Sequence, residues 1–463
     1  MSNLDAVTAY ADGAFDSAVS LLCEYLAIPA ISCDPEHFAD VDRLAERIAK
    51  DLQDLGLEGV DVLRMDGALP LVVADYRQAG PEKPTILIYG HLDLQPVKGE
   101  PWDTPPHEAT IKGRRLYARG SADDMGGWVS HLAALKAYLA TEGSLPCNVR
   151  FVIEGEEEIG SPNLERYMDT YPERFEADAM VLTDCENPST EIPGLTVSLR
   201  GLLEVEITAE ALHSDVHSGL WGNMGPDVGT SLFKMVAKLV DDDGRFALLP
   251  QEVPSDWREA AWDVPLDDEV IRKGAHLIDE VEPLPTHDRP PAEWIWRQPA
   301  VTILSTTFPR PENEKNALRS KASVTVSIRI APGQTADDIL HVLKETLLSE
   351  PVGGVKISLT EKPGGAESWL YTPQGPAFGA VDRAYEKAWG CKPLHIGVGG
   401  SIPFVAMFGK RFSTLPLILN GVMDPETGAH GPNESMDLHV FKKAIIANIY
   451  LLDELSRVDL SAT

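Results

Sequence analysis

Two histidines and three carboxylates, His91, Asp123, Glu158, Asp184 and His430, stand in or just beyond short apolar runs, within stretches otherwise crowded with Gly and acids. These are side chains that bind divalent cations, and loops following parallel strands meet at one sheet edge, so residues far apart in sequence converge there. The set points to a two-metal hydrolase. In Tyr89-Gly90-His91-Leu92-Asp93, the His and the Asp are two apart on an extended segment and face the same side. Gly90 then permits a turn, and Asp93 orients the imidazole. Taken alone, a hydrogen-bonded structural pair accounts for this segment as well. Asp123 and Asp124 precede Gly126-Gly127 and a helix, where an Asp is also expected as a cap. A carboxylate can bridge two cations and an imidazole cannot, so Asp123 is assigned as the bridge. In Glu154-Gly155-Glu156-Glu157-Glu158-Ile159-Gly160 no basic residue balances the acids. Crowded like charges past a buried strand are costly unless a cation or a proton neutralises them. One Glu there can ligate while its neighbour takes a proton from water.

The elements that must position these groups follow from periodicity. Apolar positions at Phe15, Val19, Leu22 and Leu26, then at Val41, Leu44, Ile48 and Leu52, predict two helices. The runs 85–89, 149–153 and 179–182 predict buried strands, with a helix over 125–141 between the first two. Such alternation implies an α/β fold, a mostly parallel sheet flanked by helices. From Leu195 the pattern changes. Strand 202–209, helix 227–240, strands 301–306 and 324–330, helix 336–348 and strand 355–360 spell β-α-β-β-α-β, the order of a small α+β, ferredoxin-like domain. The stretch 248–298, rich in Pro, Trp and acids, is read as an elaborated insertion. The first pattern resumes with a helix at 380–389, a strand at 394–397 and a helix at 440–455. The expected domains are therefore 1–194 with 365–463, carrying the di-metal site, and an inserted lid or dimerisation domain at 195–364.

Composition narrows the partners. The 463 residues favour two domains, and 43% hydrophobic content suffices for a sizeable core. With 40 Lys and Arg against 72 Asp and Glu, the net charge of −32 repels phosphate backbones and anionic bilayers, so no nucleic acid and no membrane partner is expected. No apolar run approaches membrane-spanning length, and the acidic start lacks the features of a secretory leader. A soluble, cytoplasmic protein is expected. The five cysteines are scattered without a CxxC pair and are read as buried thiols. No HExxH pair, Walker A loop, dinucleotide fingerprint or GxSxG elbow is present.

In combination these motifs resemble the di-zinc metallopeptidases that include carboxypeptidases, aminoacylases, desuccinylases and dipeptidases, most of all the cytosolic dipeptidase and carnosinase branch. The resemblance runs in order through Gly90 to Pro96, Arg119 to Asp124, Glu154 to Ser161 and Gly399 to Pro403, nearly the whole chain. It implies one metal held by His91, Asp123 and Asp184, a second held by Asp123, Glu158 and His430, and Glu157 as general base. It also implies that His217, in Asp215-Val216-His217-Ser218-Gly219, stabilises the oxyanion and often comes from a partner subunit of a homodimer. Arg329 would grip the substrate carboxylate through its planar guanidinium, aided by Gly400 and Ser401. For His217 a loop histidine bonded to its own turn is the plain alternative; for Arg329, a solvated edge residue. Two departures are Met125, where the family usually has Lys, and Ala317-Leu318-Arg319, where many relatives have Ile-Pro. The implied activity is hydrolysis of dipeptides or short unblocked peptides with two Zn²⁺ or Mn²⁺ ions. Alternatives are a deacylase or carbamoylase of N-substituted amino acids, and a non-catalytic peptide-binding protein.

Overall fold

The computed structural model describes residues 3–309, 311–400 and 402–460. It divides into two compact units, the first from 1–197, 372–396 and 407–463, the second from 198–371 and 397–406.

In the first unit the strands are β1 (Glu58–Leu63), β2 (Leu71–Tyr76), β3 (Thr85–His91), β4 (Asn148–Glu154) and β5 (Ala179–Leu182), joined by Leu417–Leu419. They form one six-stranded sheet in the order β1-β2-β4-β3-β5-(Leu417–Leu419). The β4–β3, β3–β5 and β5–(Leu417–Leu419) pairs are parallel, and β1–β2 and β2–β4 are antiparallel. The predicted mostly parallel α/β sheet is therefore present, with an antiparallel edge that periodicity did not announce. In β2 the apolar run is interrupted by Asp75, whose carboxylate is buried and accepts from Arg150 Nε of β4 at 2.7 Å. A paired charge of this kind survives burial.

Helices α1 (Phe15–Leu26), α2 (Phe38–Asp54) and α3 (Met125–Glu142) lie within two residues of their predicted spans where these were given, and Pro376–Trp389 and Leu438–Leu455 complete the cover. α3 packs against Leu438–Leu455, while α2 covers β1 and β2. The strand Leu394–Val398 is not a member of the six-stranded sheet.

The second unit contains β6 (Gly201–Glu210), α4 (Val228–Ala237), β7 (Ala300–Thr306), β8 (Lys321–Ile330), α5 (Ala336–Leu348) and β9 (Lys356–Glu361), in the predicted β-α-β-β-α-β order. The sheet runs β7-β8-β6-β9, antiparallel throughout. Alternate residues of β6 and β8, among them Val205, Ile207, Val326 and Ile328, meet Leu232 of α4 and Leu343 of α5 in one apolar core. A capping box, Thr335 with Asp338, starts α5. The stretch 248–298 is ordered by buried Glu293, which accepts from Arg258 and Gln298, and by Arg297 over the Trp257 ring at 4.6 Å. Among the described residues no helix is long and apolar enough to cross a membrane. The cysteines are unpaired, but only Cys147 and Cys185 are buried; Cys33 is exposed, contrary to the reading of all five as buried thiols.

Candidate metal centre

Strand ends at one sheet edge deliver the first three ligand candidates. His91 closes β3, Asp184 lies two residues past β5, and the Glu157–Ile159 turn of 3-10 helix follows β4. Asp123 precedes α3, and His430 sits in a loop at φ 63°, the left-handed region. Two groups of ligating atoms result, each mutually within 4.8 Å: His91, Asp123 and Asp184, and Asp123, Glu158 and His430. The two oxygens of Asp123 face different imidazoles, Oδ1 at 3.2 Å from His91 Nε2 and Oδ2 at 3.1 Å from His430 Nε2. His430 Nε2 is also 3.2 Å from Glu158 Oε2, while Glu158 Oε1 is buried without a hydrogen-bond partner.

Electrostatics agree with a cation site. Burial, then the charges of Asp123, Asp124 and Glu157, push the Asp184 carboxyl well up. Burial, then Glu158, Asp93 and Asp123, do the same to Glu157 against the opposing pull of His91. Burial would raise Asp123 as well, but hydrogen bonds with His430 and His91 hold it well below the carboxylate range. His430 is pushed up to about 10 by its bonds to Asp123 and Glu158. Carboxylates crowded into a buried volume, with an orphaned oxygen among them, fit a donor set for hard or borderline divalent cations.

Asp93 does more than the sequence suggested. Its Oδ1 is 3.5 Å from His91 Nδ1, with its backbone oxygen at 3.1 Å, and its carboxylate also accepts the backbone N–H groups of Glu157 (3.1 Å) and Glu158 (3.0 Å). One buried side chain thus holds both the ring and the glutamate turn. Glu157 Oε2 is 4.0 Å from His91 Nε2 and outside both ligand groups. Asp124, joined to Asp123 by a cis peptide, does not cap α3; its carboxylate accepts from Thr183 Oγ1 at 2.7 Å and His91 N at 3.2 Å. Gly90 makes no turn. It lies inside β3, where a Cβ would stand 2.6 Å from Asp124 Oδ2 and 2.7 Å from Trp128 Cδ1, so it allows close approach instead. Gln95 Nε2 donates to Glu158 Oε2 at 2.7 Å.

Sequence reasoning missed Glu186. It is exposed two residues beyond Asp184, and no hydrogen-bond partner of its side chain is found among the described residues. Although part of the residue reaches solvent, protein crowds its carboxyl, and that desolvation, then the charges of Asp424 and Asp123, push it up. An acid in so acidic a chain carries no signal of its own.

Within the second unit, His217 is exposed and its Nδ1 accepts from Gly219 N at 3.0 Å. The bond to its own turn exists, and it fixes the proton on Nε2, which is left as a donor. Asp215 anchors the adjacent segment 315–320 of the same unit through Ser320 N at 2.9 Å and Lys315 Nζ at 2.9 Å. Arg329 is half-buried on β8, in register with Leu202 and Ala300. Beside it lies Arg200, also missed, whose Nε donates to Gly399 O at 2.9 Å; burial, then the charge of Arg329, lowers its guanidinium to about 10. Gly400 is half-buried with no neighbour nearer than 3.8 Å to a built Cβ, and Ser401 lies outside the described residues.

The model of Peptidase family M20/M25/M40 matches residues 87–453. The chain belongs to this family. It is an enzyme, a metal-dependent hydrolase of the M20 metallopeptidases. Among M20 relatives, the cysteinylglycine-S-conjugate dipeptidase of Corynebacterium striatum is 30% identical, across 90% of this chain and 91% of its own. The Cys-Gly metallodipeptidase of Schizosaccharomyces pombe is 27% identical across 98% and 99%. The crystal structure of human carnosine dipeptidase 1 has a TM-score of 0.78 at 24% identity, covering 99% of this chain and 100% of that one, a likeness of fold.

Proposed function

We propose that this M20 peptidase hydrolyses the peptide bond of dipeptides or short peptides with a free amino terminus, using two Zn²⁺ or Mn²⁺ ions. One observation carries the reading: Asp123 presents each oxygen to a different imidazole, with Glu157 beside both groups and in neither. His91, Asp123 and Asp184 would hold one ion, and Asp123, Glu158 and His430 the other. Bound there, such ions polarise a carbonyl oxygen and lower the pKa of a coordinated water toward about 7. Glu157 takes a proton from the attacking water and returns it to the leaving nitrogen, a carboxylate shuttle typically contributing about 10²–10⁴-fold. Asp93 keeps Glu157 and His91 in place through the bonds described above. His217 donates from Nε2 to the oxygen that becomes negative in the tetrahedral state. Arg329 takes the substrate carboxylate, and the neighbouring Arg200 supports this role because two adjacent guanidiniums favour an anion. Gly400 adds a polar contact to the same carboxylate.

Glu186 separates peptides from blocked amino acids. An accessible carboxylate beside Asp184 favours a substrate that brings an ammonium, which N-acyl and N-carbamoyl amino acids lack. The dipeptidase names of the relatives support the same choice. A homodimer formed through the second unit belongs to this proposal. It is supported by β7, an edge strand that leaves Ile303 and Leu304 half exposed, and by exposed Trp221, Met224 and Phe233. A cytoplasmic location belongs to it too, on acidic composition and scattered thiols. The deciding assay sets metal-loaded enzyme against a dipeptide panel alongside N-acyl and N-carbamoyl amino acids. Turnover of the free dipeptides is expected; cleavage of the blocked compounds alone would sink the reading.

A further inference from the structure

His430 is unlike the other candidate ligands. Its side chain is 60% exposed, whereas those of His91, Asp123 and Glu158 are 0%, 6% and 2% exposed, so little packing fixes it. What holds its loop lies four residues on. Glu434 is fully buried, and its Oε1 accepts the backbone N–H groups of Ala122 at 3.2 Å and Asp123 at 3.3 Å. Its Oε2 accepts from Arg119 Nη1 at 2.9 Å, and its backbone oxygen accepts from Ala118 N at 3.1 Å. Arg119, 1% exposed, donates on its other side to Glu100 at 3.1 Å and Pro96 O at 3.4 Å, with its guanidinium 5.2 Å from the Trp102 ring. Asn433 adds a second tie, its Oδ1 accepting from Asp103 N at 2.8 Å. Three segments, 96–103, 118–123 and 433–434, are interlocked around one buried ion pair.

We propose that Arg119 and Glu434 are a positioning pair that fastens the His430 loop to the Asp123 loop and so sets the affinity of the second cation site, that of Asp123, Glu158 and His430. The inference rests on the two-cation reading above. The effect is site-selective for a structural reason. Asp123 has independent anchors, because Asp124 beside it is bonded to Thr183 and to His91 N and leads directly into α3. His91 and Asp184 sit at the ends of buried strands. Loosening Glu434 therefore frees His430 before it disturbs the first group.

The test titrates Zn²⁺ into chelator-treated full-length protein by calorimetry, with no substrate present. Wild type should bind two ions. Glu434→Gln keeps the side-chain volume and an oxygen for the two N–H groups but loses the charged contact with Arg119. It should leave one site within about twofold of wild type and weaken the other by about 10–100-fold, the usual range for a residue that orients a ligand. Arg119→Lys should do the same to a smaller degree. Removing a buried partner is often destabilising, so Asn433→Gly, which releases the second tie and accepts the left-handed backbone that Asn433 adopts at φ 62°, serves as the variant that keeps its fold. It too should weaken one site alone. Wild-type affinity at both sites in the folded variants, or an equal loss at both, would overturn the proposal. A wild type that binds fewer than two ions would instead overturn the two-cation reading on which it depends.

Discussion

At the scale of single residues, charge and reach separate the roles of neighbouring acids. Glu157 and Glu158 share one turn, yet only Glu158 joins a ligand group. Glu157→Gln should accordingly retain metal, measured by elemental analysis, while kcat falls by about 10²–10⁴-fold; wild-type turnover would remove Glu157 from the chemistry. Glu186 is tested differently. Its amide, Glu186→Gln, should raise KM for free dipeptides by about tenfold and leave hydrolysis of any blocked substrate unchanged, because only the former carries an ammonium; equal effects on both classes would count against it. A third residue gives a pH signature away from the site. His131 in α3 is fully buried, its Nδ1 lacks a partner, and burial lowers its pKa to about 3. The unfolded chain protonates this ring below about pH 6.5 and the native chain does not, so the native state loses stability as pH falls from about 6.5 toward 3, by at most about 1.4 kcal/mol per unit. His131→Leu should make urea-derived stability less dependent on pH between 6 and 4.5; an unchanged slope would mean that the ring is protonated in the native protein.

The elements show why part of the fold was legible in sequence and part was not. β3, β4 and β5 are buried on both faces and therefore appear as unbroken apolar runs, and the six elements of the second unit obey simple periodicities. β2 was hidden because its buried Asp75 is answered by Arg150 on another strand, a pairing no local pattern contains. The candidate metal ligands stood out because imidazoles and acids flanked by glycines after apolar runs are uncommon. Arg119, Arg200 and Glu434 did not, since the groups they bond lie far away in the chain, and Glu186 did not because one more acid in so acidic a chain carries no signal. Glycines in α3 make the same distinction measurable. Gly143 ends the helix at φ 67° with open space around it, whereas a Cβ on Gly127 would lie 2.1 Å from Asp124 Oδ1 and 2.5 Å from Thr183 O. Gly143→Ala should cost about 1 kcal/mol of stability with metal affinity intact. Gly127→Ala should cost about 1–3 kcal/mol and also weaken metal binding, because the overpacked atom belongs to the residue joined to Asp123. Calorimetric titration of both variants checks this, and equal metal affinity would show that α3 carries the site less rigidly than its packing indicates.

At the scale of the whole molecule, the question is whether one chain supplies every group the reaction needs. Glu157, the proposed proton carrier, belongs to the first unit and His217, the proposed oxyanion donor, to the second, and the second unit bears the exposed edge strand and apolar side chains that support pairing with another copy. If His217 serves the centre of the partner subunit, two dead proteins can repair one another. Glu157→Gln homodimers lack the base in both centres, and His217→Ala homodimers lack the donor in both. In a mixed dimer, one centre has its own Glu157→Gln and borrows a missing histidine, while the other has its own Glu157 and borrows an intact His217. Half of the centres in each mixed dimer are then complete, so random mixing of equal amounts, which makes half the dimers mixed, should recover about one quarter of wild-type kcat with unchanged KM. Light scattering should first show twice the chain mass, and differently tagged subunits should establish that exchange took place. If His217 acts within its own chain, no centre in the mixed dimer is complete, since one subunit lacks Glu157 and the other lacks His217. Verified mixed dimers with no recovered activity would therefore end the shared-site proposal while leaving the oxyanion role of His217 open to the single variant, whose kcat should fall by about 10²–10³-fold if its Nε2 proton faces the developing charge.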